Sequence, residues 1–316
     1  MVYSMLIMFS YAAAIVCLSA ILWRAVKIAS LPIHLRWELY PVAHEKGRSS
    51  YGGSYLEESD WWAKPRESSF IGELKVMIPE ILLLAGVWEH NRSHWFRSFP
   101  FHIGLYILVG LVGLLLIGGI AIAIGFPLSV DAGLVGTLLY HLTYVAGYAG
   151  LVLGLLGTAA LLIRRLFNQD YREYTKKSDY FNLVFFLLAL GVALLAHLVA
   201  DPDFAALRGY FARLVTLGLA PAEVAPLSAL SVAEIVLASM LVAYVPLTHM
   251  SHFFTKWFTY HDIRWNDEPN LAGGKIEHRV GNMLKYTPTW SASHISGDGK
   301  KTWVDVTTSN VEEDEE

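Results

Sequence analysis

Five stretches of this chain, at about residues 3–26, 99–125, 132–163, 178–200 and 228–254, stay apolar for at least the roughly 20 residues a helix needs to cross a bilayer. No water is present in the hydrocarbon to satisfy a backbone, so each run must close its own hydrogen bonds as a helix, and the longer ones allow for tilt. With 54% hydrophobic and 16% charged residues, the chain is expected to be an all-α membrane protein built as a five-transmembrane-helix bundle. The segment 70–88 is also apolar but carries Glu73, Lys75, Pro79 and Glu80. Its Ile71, Leu74, Ile78, Ile81 and Leu82 recur at helical spacing, which suits a helix lying in the interface better than one spanning it.

Lys and Arg set the orientation. They crowd the 27–98 loop and the 164–177 link, whereas the opposite side carries only Arg208 and Arg213. Positive charge stays on the cytoplasmic side, so the N-terminus is expected outside and the C-terminus inside. Residues before the first apolar run carry no positive charge, so span one is expected to stay attached rather than to be cleaved. The organisation is then a transmembrane domain over 1–254 and a cytoplasmic tail over 255–316, whose acidic Glu312–Glu316 end is expected to be solvated and disordered.

Cys17 is the single cysteine, which excludes a disulfide, covalent haem attachment and an iron–sulfur cluster held by this chain. There is no Walker-type phosphate loop, dinucleotide fingerprint or His-Glu-x-x-His zinc helix, and no internal repeat of the transporter kind. A net charge of −4 without a basic, aromatic-interleaved patch gives no case for nucleic acid. Any redox centre in this chain must be held by histidine.

Ionisable side chains in hydrocarbon mark function, and four histidines lie in the spans. His102 and His252 sit toward the cytoplasmic ends of spans two and five, and His141 and His197 toward the outer ends of spans three and four. Neutral imidazole is the usual axial ligand of haem b. His102 lies in Phe-His-Ile-Gly, and Gly113, eleven residues on, returns to within about 20° of the same face, leaving room for a flat macrocycle. His249, one turn before His252, is either a substitute ligand or a contact to a propionate or quinone. His141 and His197 lie some six and eight residues from mid-helix, roughly 9 and 12 Å, depths that match within one haem. Gly147, Gly150, Gly154 and Gly157 line the side of span three roughly opposite His141 and are expected to pack helices.

Phe101-His102-Ile103-Gly104, the Leu161–Phe167 exit of span three and the Pro246–His252 end of span five resemble the gamma subunit of respiratory nitrate reductase, a five-helix dihaem cytochrome b. The His249–Trp257 and Trp290–Trp303 strings are similar to cytochrome b subunits of sulfate-reducer transmembrane redox complexes of the Tmc, Hmc and Dsr types. The likeness covers most of the chain from about 98 to 303. It implies an inner haem on His102 and His252. The family's outer ligands would fall at Val112 and Glu234, neither of which binds iron as imidazole does. Either the chain holds one haem, or a second is held by His141 and His197; the matched depths favour two. Glu234, eighteen residues before His252, is expected on the same helix face, as an acceptor of a quinol proton or at the interface beside Arg213 or water. Tyr144, Tyr148, Asp201 and Thr248 are candidate hydrogen-bonding groups around the ligands.

The resemblance further implies a bacterial cytoplasmic-membrane subunit of anaerobic respiration, and of sulfate reduction in particular. It would move electrons between a periplasmic multihaem cytochrome c, or menaquinol, and a cytoplasmic iron–sulfur subunit of the heterodisulfide-reductase type. Trp37, Tyr40, Trp61 and Trp62 in the loop and Trp257, Trp265, Trp290 and Trp303 in the tail are expected to meet such partners. Two other readings stay open: a menaquinol dehydrogenase with its own quinone site, and a haem-free anchor for soluble subunits.

Overall fold

A computed structural model of the chain describes residues 2–31, 42–47, 51–219, 225–290 and 298–308. Trp37, Tyr40, half of the Trp290–Trp303 string and the acidic end lie outside the described residues. Among the described residues, five helices are long and apolar enough to cross a membrane: Val2–Ala29, Arg92–Ala123, Gly133–Phe167, Lys177–Val199 and Ala229–Leu247. Each of the five overlaps one of the expected runs. The chain divides into two compact units, Met1–Ile21 with Met77–Ser251, and Leu22–Val76 with His252–Glu316.

The first unit holds α1 (Val2–Ala29) up to Ile21, the end of α2 (Phe70–Leu82), α3 (Ala85–His90), α4 (Arg92–Ala123), α5 (Gly133–Phe167), α6 (Gln169–Tyr174), α7 (Lys177–Val199), α8 (Ala205–Val215) and α9 (Ala229–Tyr244). α4 packs along α5 and α8, α5 along α7, and α7 along α9. The α4–α5 seam is built of glycine. A Cβ on Gly104 would lie 2.4 Å from the backbone nitrogen of Gly154, and one on Gly157 would lie 2.2 Å from that of Phe101. Lipid offers no hydrophobic drive between helices, so such close backbone approach is what holds them, as the sequence led us to expect.

Two apolar clusters fill this unit. Leu6, Ile7, Leu111, Leu115, Phe204, Leu207, Tyr210 and Ile235 pack one end, and Phe101, Leu151, Leu161, Leu183, Phe186 and Leu190 the other. The first cluster owes its shape to α8, which the sequence reading left inside a link. The Asp201 carboxylate accepts from the N–H groups of Ala206 and Leu207 at 2.9 and 3.0 Å, satisfying donors that a helix start leaves open. Tyr210 donates to the Leu6 carbonyl at 3.1 Å, which fixes α8 to α1. Arg208, one of the two basic residues counted on the outer side, is 3% exposed and lies over the Tyr140 ring at 4.9 Å.

Span five is shorter as a helix than its apolar run. α9 ends at Tyr244, a 3₁₀ turn covers Val245–Leu247, another covers His249–Ser251, and a new helix, α10 (His252–Phe258), begins at His252. Pro246 causes the break, because it has no N–H to give and its ring clashes with the carbonyl one turn back. Glu234 and His252 therefore do not share one continuous helix, and the expectation that they project from one face is corrected.

In the second unit, α10, a π-helical turn over Thr259–Arg264, α11 (Lys275–Met283) and α12 (Trp303–Thr308) fold with loop residues of 42–76. Asp267 clasps the two segments. His44 Nε2 donates to its Oδ2 at 2.9 Å, while Arg66 Nη1 reaches its Oδ1 at 3.0 Å and its carbonyl at 2.7 Å. Trp265 and Tyr260, 2% and 1% exposed, pack ring to ring beside this clasp. Trp265, expected to face a partner, is thus core of its own unit, whereas Trp62, Trp257 and Trp290 are exposed.

Candidate functional site

α4 carries His102 two residues past Pro100, on a half-buried face. A backbone carbonyl can only accept, so the 2.8 Å contact between His102 Nδ1 and the Ser98 carbonyl places the proton on Nδ1. The lone pair of the neutral ring is then on Nε2. Ser98 Oγ stands 3.2 Å from the same Nδ1, and Tyr106, one turn on, donates to the Ile81 carbonyl at 2.7 Å. Farther along this face, a Cβ at Gly113 would meet nothing within 4 Å. α4 and α9 form no extended seam with each other among the described residues. The orienting bond and the open stretch above it are what an axial imidazole requires.

A second constellation lies at the other end of the unit. His197, on the last turn of α7, is 0% exposed; its Nδ1 faces the Asp201 carbonyl at 2.9 Å and its Nε2 faces Glu234 Oε1 at 3.0 Å. Glu234, on α9, is 8% exposed, and its Oε2 has no hydrogen-bond partner among the described residues. Phe204 stacks on the His197 ring at 3.6 Å between centroids. Tyr148 donates to the carbonyls of His197 and Pro202 at 3.2 and 3.0 Å. Of the four groups expected around ligands, Tyr148 and Asp201 do stand at a histidine. Tyr144 is exposed, and Thr248 donates to the Val245 carbonyl at 2.9 Å.

The structure does not bring His141 and His197 to one open site. The His141 ring is exposed on α5, edge-on to Tyr140, while His197 is enclosed. Matched depth along two helices is not matched rotation about them, and the glycine stripe turns the His141 side of α5 outward. His249 is exposed, with Nε2 3.6 Å from Asp179 Oδ1. His252, first residue of α10, is exposed in the second unit. In that unit His261 stacks on Trp257 at 3.8 Å and faces Glu73 at 3.5 Å. Sequence reasoning missed the His197–Glu234 pair; the available signal was two ionisable residues near the same ends of their spans.

A family model described as nitrate reductase gamma subunit matches residues 85–266, which includes α4 to α10 with His102, His141, His197, Glu234, His249 and His252. No curated protein and no solved structure gives a significant match. The matched segment holds four of the five apolar helices, the oriented imidazole of α4 and the buried pair of α7 and α9. The chain belongs to the nitrate reductase gamma subunit family, whose members are multi-pass membrane subunits that carry electrons on haem b.

Proposed function

We propose that this chain is the haem b subunit of a respiratory complex in a bacterial cytoplasmic membrane, passing electrons between a periplasmic or quinol donor and a cytoplasmic iron–sulfur protein. The observation that carries it is the Nδ1–H bond from His102 to the Ser98 carbonyl at 2.8 Å, with open space at Gly113 on the same side of α4. The residues on α4 fit the group: the ring is held in one tautomer, and at Gly113 no side chain stands in the way of a macrocycle. With His252 assigned by the resemblance as the second ligand, the bound haem supplies one-electron chemistry. Ser98 holds the His102 ring in place, Gly113 admits the macrocycle, and the apolar wall of α4 excludes water.

The charge asymmetry supports an orientation with the basic links inside, where Trp62, Trp257 and Trp290 are exposed to receive a partner. We read that partner as an iron–sulfur subunit of the heterodisulfide-reductase type, with a multihaem cytochrome c or menaquinol on the outer side. The exposed Phe70, Ile71 and Ile78 of α2 support its place in the interface.

Purified chain should show a Soret band, and His102→Ala and His252→Ala should each abolish it while His249→Ala retains it. A colourless wild type would leave only the haem-free anchor. Reduction of the haem by a quinol analogue in the isolated complex would select the dehydrogenase reading, and failure of that reduction the cytochrome c donor.

A further inference from the structure

The nitrogen that His197 would offer to an iron is already committed. A carbonyl only accepts, so the 2.9 Å contact with Asp201 puts a proton on His197 Nδ1. Across the 3.0 Å contact between Nε2 and Glu234 Oε1 there is then one proton and two places for it. Either the ring is neutral and accepts from a protonated carboxyl, or the ring is charged and donates to a carboxylate. Both arrangements leave the pair with no net charge, as a site buried this deeply demands. In neither is the Nε2 lone pair available to a metal.

The surrounding space is taken as well. Phe204, itself 0% exposed, covers one face of the imidazole at 3.6 Å. Its far edge occupies the notch left by Gly147, where a Cβ would come within 2.1 Å of Phe204 Cζ. Leu111, Leu115, Leu207, Tyr210 and Ile235 complete a packed cluster around it. The other ring needed for a pair, His141, is exposed on the outside of α5. The two positions where the family resemblance would put outer ligands hold the exposed aliphatic Val112 and the carboxyl of Glu234, which is bonded to His197.

We propose that this end of the bundle holds no haem: His197 and Glu234 form a one-proton acid–imidazole pair in its place, and the chain carries a single haem b. The inference rests on the haem b reading above and limits it to one centre. Electrons leaving or entering at this end must pass directly between the haem of α4 and an external carrier.

The test is haem content per chain by pyridine haemochrome, on the purified full-length protein and on two variants, with a redox titration of the α band. We expect one haem per wild-type chain and a single one-electron component. His141→Ala, at an exposed position, should leave the ratio at one, and His102→Ala should bring it to zero. Two haems per chain, two redox components, a haem lost from His141→Ala or a haem surviving in His102→Ala would each overturn the proposal. A haem-free wild type would overturn the haem b reading itself, so the two failures are told apart.

Discussion

Phe204 shows how much a single side chain can decide. Its backbone sits at φ 61°, a region that a bulky residue enters only at a cost of about 1–3 kcal/mol. The ring offsets this by filling the notch at Gly147 and stacking on His197. Phe204→Ala should therefore lower stability in detergent by roughly 3–5 kcal/mol, the range for an emptied aromatic site, read as a fall in the melting temperature. Gly147→Val should be at least as damaging, since its first carbon would overlap the Phe204 ring; a melting temperature equal to wild type would show that the notch is not formed. The histidines and Glu234 were legible as residue types out of place in hydrocarbon. Their partners were not, because a hydrogen bond between α7 and α9 depends on how each helix is rotated, and depth along the chain does not fix that.

Among the elements, the packing face of α5 was readable, because Gly147, Gly150, Gly154 and Gly157 line one side of the helix; that Gly104 of α4 is what meets Gly154 was not. Gly157→Leu, whose first carbon would lie 2.2 Å from the Phe101 backbone nitrogen, should drive the seam apart and abolish haem retention together with the folded state, seen as loss of both the Soret band and a monodisperse elution peak. The α8 helix was not readable: its eleven residues are too few to span a bilayer, and its buried Arg208 looks like a loop charge. What fixes α8 is the Asp201 carboxylate on its first amides, so Asp201→Ala should cost about 0.5–2 kcal/mol and Asp201→Asn less, measured by thermal unfolding of the two variants side by side. The end of α9 at Pro246 follows from proline chemistry, although hydropathy alone runs on through it to residue 254.

At the scale of the whole molecule, the second unit is tied together at Asp267, whose carboxylate and carbonyl hold His44 and Arg66 from a segment some two hundred residues away. Asp267 and Arg66 are partly exposed, so the clasp is worth little in global stability, within about 1 kcal/mol. Its effect should be local: Asp267→Ala should speed limited proteolysis of the tail while haem content stays unchanged. Equal cleavage rates would show that Tyr260 and Trp265 hold the unit unaided. The sequence by itself determined the number of apolar spans and the glycine stripe of α5, since each rests on composition and on spacing along one helix. Only the tertiary structure decided that His197 faces Glu234 and that His141 faces outward. It also decided that Trp265 is core rather than interface. Those outcomes depend on rotation about helix axes and on contacts between distant segments, and a periodic pattern along one chain constrains neither.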